Sequence, residues 1–140
     1  MSVNTVNKDV MNRQEIIQYW KETAERDWIA SQSLFNTENY VHSLYFAHLT
    51  LEKLSKAHWV KDNKDTNAPR VHNLVYLLKQ TNLELNNDDE DFLNRFNDFQ
   101  LEGRYPDYKQ KIYKLCTLDY TNKIFKEVEK IKEWLINKLQ

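Results

Sequence analysis

Glu102-Gly103-Arg104-Tyr105-Pro106-Asp107 holds the only glycine and one of the two prolines in a chain of 140 residues. Gly103 is free to take a positive φ that a side chain with Cβ resists. Pro106 fixes its own φ and drives Tyr105 out of the helical region. The stretch is therefore a defined corner between two helices, and the scarcity of breakers elsewhere leaves helix as the default for the rest of the chain. The same corner presents an arginine, an aromatic ring and a carboxylate, which is more chemistry than a turn requires.

Working outward, side-chain periodicity places the helices. From about Arg13 to Phe35, the residues Ile16, Ile17, Trp20, Ala24, Trp28, Ser31 and Leu34 or Phe35 recur in steps of three and four and line one face. Asn36-Thr37-Glu38-Asn39 supplies turn and capping chemistry, and Tyr40, Leu44, Ala47, Leu51, Leu54 and Ala57 mark a second helix ending near Lys61. Residues 62–69 are polar and rich in breakers and read as a mobile loop. A short amphipathic helix is predicted over His72–Gln80. Another starts at the acidic Asn86–Glu90 cap and runs through Phe92, Phe96 and Phe99 to the corner. Tyr108 to Thr117 is ambiguous. From Leu118, the series Ile124, Val128, Ile131, Leu135 and Leu139 marks a last long helix. The expectation is one all-α domain over residues 1–140, an antiparallel bundle of about five helices, with residues 1–11 as a flexible tail. No strand alternation and no internal repeat competes with it.

Composition bounds the function. Hydrophobic residues make up 41% and charged residues 29%, a globular balance, and 20 basic against 21 acidic side chains leave a net charge of −1. The broad positive field of a nucleic-acid binder is absent, so any RNA contact has to be local. Cys116 is the lone cysteine, which rules out an internal disulfide and a thiolate zinc cluster and suits a reducing cytoplasm. No stretch approaches the ~20 apolar residues that span a bilayer, and the polar start carries no secretory signal, so neither membrane insertion nor secretion is expected.

The order of features over roughly Glu22 to Trp134 resembles the HEPN domain, the helical nucleotide-binding domain of higher eukaryotes and prokaryotes. The resemblance rests on Ala24 and Asp27, then Tyr40-x-x-Ser43-Leu44-x-Phe46-Ala47, then Leu51-Glu52-Lys53-Leu54-Ser55-Lys56-Ala57. It continues with Val71-His72-Asn73-Leu74 and with Gly103-Arg104-Tyr105-Pro106-Asp107. It implies an antiparallel bundle, homodimerisation through the long helices, and association with RNA, nucleotides or a minimal nucleotidyltransferase. The family's ribonucleases carry an arginine followed by four to six residues and a histidine, one steadying phosphate charge and the other moving a proton. After Arg104 those positions hold Lys109, Gln110 and Lys111, and the windows after Arg13, Arg26, Arg70 and Arg95 hold no histidine either. Arg104 matches instead an Arg-Tyr-Pro-Asp variant without that pairing.

Two readings of Arg104 stand side by side. It is a structural ion-pair partner of Asp27 or Glu52, or it contacts an anionic ligand together with Tyr105, Asp107, Lys109, Lys111 and Tyr113, with Lys53 and Lys56 as neighbours. Lysines neutralise phosphate and aromatic faces stack on bases, so the basic run after the corner suits a short anionic ligand. Glu52 and Lys56 form an i,i+4 pair that any solvated helix uses, and His72 has an orienting hydrogen bond as its ordinary role. His48 and Glu52 share a face but lack a third ligand at a set spacing, so no metal and no cofactor is assigned. Three functions follow. The first is a non-catalytic dimeric accessory module for a nucleotide, RNA or a nucleotidyltransferase. The second is a toxin-like, metal-independent ribonuclease with a degenerate site. The third is a helical interaction protein without a nucleotide role.

Overall fold

A computed structural model describes residues 10–140, so the expected tail is described only from Val10 onward, and residues 1–9 lie outside the described residues. Six α-helices and no strand occur among them: α1 (Arg13–Asn36), α2 (Tyr40–Asp62), α3 (Leu74–Leu78), α4 (Asn87–Phe96), α5 (Pro106–Leu115) and α6 (Leu118–Lys138). A 3₁₀ turn, Asn97–Phe99, extends α4. The sixth helix comes from the ambiguous stretch, where Pro106 opens α5 and Tyr105 stays extended at φ −82° and ψ 160°.

α1 starts with a reciprocal cap in which the Asn12 side chain accepts from the Glu15 N–H and the Glu15 carboxylate accepts from the Asn12 N–H. Its other end turns tightly into α2 through Glu38, at φ +64°. The two helices run antiparallel. Ser31 and Ser43 exchange hydrogen bonds near the turn, at 2.6 and 2.8 Å, and Arg13 reaches the carbonyls of Val60, Asn63 and Lys64 at the far end. That guanidinium ties the start of the 62–69 loop to α1.

α2 is the central helix and buries residues on nearly every side, which no amphipathic surface helix does. Leu44, Ala47, Leu51 and Leu54 join Ala24 and Trp28 of α1 and Val128, Ile131 and Leu135 of α6 in the main core. Trp20 departs from the predicted face and packs instead on a second cluster of Ile17, Ala57, Trp59, Val60 and Leu77. α6 lies along α1 and α2: the Phe125 ring meets Trp28 at 4.7 Å and Phe35 at 5.0 Å, and His58 bonds the Leu135 carbonyl at 2.8 Å. Lys132 is buried with its ammonium 4.7 Å from the Trp28 ring centroid. No helix among the described residues is long and apolar enough to cross a membrane.

Candidate functional site: a buried polar seam beside the arginine corner

On α2, His48, Glu52 and Lys56 follow one another at helical spacing, and all three are buried. A buried carboxylate needs compensation, and Glu52 has it on both oxygens. Oε2 lies 3.1 Å from the Lys56 ammonium, and Oε1 accepts from His72 Nδ1 at 2.9 Å. His72 comes from the segment before α3 and turns its other nitrogen to Glu102 Oε2, 3.7 Å away at the Gly103 corner. Lys56, Glu52, His72 and Glu102 thus form one chain of polar contacts from the centre of α2 to the corner.

His48 closes the seam on the other side. Asn73 caps α3 by accepting from the Tyr76 N–H, so Asn97 Nδ2 must donate to the same oxygen. Asn97 Oδ1 then accepts from the Leu74 N–H and from His48 Nε2, both at 3.1 Å, which fixes the proton of His48 on Nε2. Its Nδ1 is left with no hydrogen-bond partner, 3.9 Å from Glu52 Oε1. Burial lowers the His48 pKa against the opposing pull of Asn97 and Glu52, so the ring stays neutral. Burial, then the charges of Glu102, Glu52 and Asp27, raise the pKa of Tyr45, which borders the same seam. Among the described residues no group of three or more histidine, cysteine, aspartate or glutamate side chains is arranged to hold a metal ion.

Arg104 lies outside this seam. It is exposed, its Nε donates to the Gln100 carbonyl at 3.3 Å, and its guanidinium sits 4.5 Å from the centroid of the Tyr108 ring. Tyr108 is anchored by its hydroxyl, which donates to the Asp98 carbonyl at 2.8 Å. The ion pair of Arg104 with Asp27 or Glu52 is therefore corrected: Asp27 pairs with Lys53 at 2.6 Å, and Glu52 is taken by Lys56 and His72. The reason is the left-handed turn at Gly103, φ +76°, after which the chain leaves the core and carries Arg104 to the surface.

The eight residues expected around one ligand fall into two groups. Arg104, Tyr105, Asp107, Lys109, Lys111 and Tyr113 stand exposed on the corner and on α5. Tyr105, Lys109 and Tyr113 are four apart and share a face, with Ile112 buried behind them, and the Tyr113 ring lies 6.1 Å from that of His42. Lys56 belongs to the seam and Lys53 pairs with Asp27 of α1, so each is held by a carboxylate. Glu102, rather than Arg104, joins the two. Tyr45, Asn97 and Glu102 went unassigned in the sequence reading. The usable signal was an ionisable ladder, His48, Glu52 and Lys56, on an otherwise apolar helix.

The sequence profile of the HEPN domain matches residues 17–139. Comparison with curated proteins and with solved structures gave no match. The matched span takes in all of α2 to α6, the polar seam and the arginine corner, and the chain belongs to the HEPN domain family.

Proposed function

We propose that the whole chain acts as one non-catalytic HEPN module, a cytoplasmic homodimer that binds RNA or a nucleotide in the service of a partner nucleotidyltransferase. Membership of the family supports a nucleotide- or RNA-related role. The observation that carries the binding site is the state of Arg104: exposed, held over Tyr108, and free of any ion pair among the described residues. A guanidinium so placed offers its fork to phosphate at little ordering cost. Tyr105 and Tyr113, 79% and 52% exposed, add faces on which bases stack, with Lys109 between them along the helix.

The missing histidine supports the non-catalytic assignment. Titration of a labelled single-stranded RNA, followed by fluorescence anisotropy, tests the site. Arg104→Lys is expected to abolish binding with the melting temperature unchanged, and Lys111→Ala to weaken it modestly and flatten its salt dependence. Binding that survives Arg104→Lys removes the site. The homodimer is tested by light scattering, where a 17.0 kDa particle across the micromolar range excludes it.

One observation favours a second reading, a ribonuclease with a displaced histidine. The His72 side chain is half-exposed, its Nε2 lies 3.7 Å from Glu102, two residues before Arg104, and buried Glu52 holds its Nδ1. Cleavage of the same RNA by the wild type, lost in both His72→Ala and Arg104→Ala, would establish that reading in place of the first.

A further inference from the structure

A cavity of about 130 Å³ lies where α4, its 3₁₀ extension, α5 and the start of α6 meet. Phe92, Phe96 and Phe99 wall it together with Ile112 and Ile124. The three rings form one row, Phe92 stacked on Phe96 at 5.5 Å and Phe96 tilted against Phe99 at 5.5 Å. An apolar cavity of about 150 Å³ accepts a molecule the size of benzene, so this one has room for a branched aliphatic or phenyl side chain. It stands at the end of the bundle where Phe125 of α6 meets Phe35 of α1, remote from Arg13 and the start of α1.

Two side chains of opposite charge, Arg95 and Asp98, also line the cavity, and both are exposed, so they stand at its mouth. Asn97 between them keeps helical φ and ψ, which sets the two residues about one turn apart, roughly 5–6 Å between Cβ atoms. Even so they do not pair with each other, and neither makes an ion pair elsewhere among the described residues. Burial, then Cys116 and Asp98, raise the pKa of Tyr120 in the same wall while Arg95 opposes them, which puts both charges beside that ring. An apolar recess under one cation and one anion is complementary to a molecule that carries both charges next to an apolar group. An α-amino acid does so, with ammonium and carboxylate on the carbon that bears its side chain. We propose that this cavity binds a free apolar amino acid, its side chain among the phenylalanines, its carboxylate on the Arg95 fork and its ammonium on Asp98. The site uses other residues than the arginine corner and does not rest on RNA binding there.

Calorimetric titration of the full chain with L-leucine tests it. Separate arms use glycine, which lacks the side chain, 4-methylpentanoate, which lacks the ammonium, and 3-methylbutylamine, which lacks the carboxylate. Saturable binding is expected for leucine, with each of the other three weaker by about tenfold or more. Arg95→Ala and Asp98→Asn are each expected to weaken leucine binding about 10- to 100-fold, the loss of a charge-assisted contact, without changing the melting temperature of the free protein. Arg104→Lys should leave leucine binding intact. Ile124→Phe fills the cavity and should abolish binding; if that variant fails to fold, Arg95→Ala decides. Three results would overturn the proposal: no saturation by about 10 mM leucine, wild-type affinity in either charge variant, or a single-charge compound that binds as tightly as leucine. The last would assign the cavity to the end of a peptide chain.

Discussion

At the scale of single residues, Glu52 and Gly103 govern the site by different means. Gly103 is required by conformation alone: its φ is +76°, and a Cβ built there meets nothing within 4 Å. Its value to the corner was legible from its being the only glycine in the chain. Glu52 acts through its partners, because its removal leaves Lys56 buried without a counter-charge and frees His72 from the seam. Glu52→Ala is accordingly expected to cost about 3–5 kcal/mol in urea denaturation; a loss under about 1 kcal/mol, the scale of a surface pair, would show that Lys56 finds water instead. The ladder His48, Glu52 and Lys56 was visible in the sequence as two overlapping i,i+4 pairs. What meets it was not. Asn97 and Glu102 arrive from segments some 50 residues along the chain, and only the folded backbone brings them to α2.

At the scale of helices, legibility followed the depth of burial. α1, α2 and α6 bury continuous stripes, and periodicity located each of them. α5 buries only Ile112 within its length and so left the sequence pattern ambiguous. α3 is shorter than His72–Gln80 because Asn73, rather than His72, is its cap, and His72 is spent on Glu52. Helix α1 was right in position but divided in duty, since Trp28 serves the main core and Trp20 the second cluster. Trp28 is 3% exposed and stacks on Phe125 of α6. Trp28→Ala is expected to cost about 3–5 kcal/mol through lost burial and the cavity left behind, and a near-neutral change would place α6 elsewhere.

At the scale of the whole molecule, the central helix carries two buried histidines that fold neutral. His58 resembles His48: burial lowers its pKa more than the bond to the Leu135 carbonyl raises it. The unfolded chain takes up protons near the ordinary value of 6.5, and the folded one resists until lower pH. Stability contributed by these groups is therefore complete above about pH 6.5 and is lost as pH falls toward the folded pKa values. The melting temperature should fall between about pH 7 and pH 5, and His58→Gln should reduce that slope; a flat or rising profile in this window contradicts the neutral assignment.

The family and the all-helical fold were both within reach of the sequence, because an ordered set of short motifs survives without knowledge of side-chain contacts. The state of Arg104 was not, since pairing and exposure depend on where the corner turns the chain. Backbone-amide NMR during titration with a short single-stranded RNA tests that point most directly. The account predicts that shifts concentrate in residues 102–113, disappear in Arg104→Lys and come with no RNA cleavage. Shifts centred elsewhere, or cleavage products in the same tube, would contradict it.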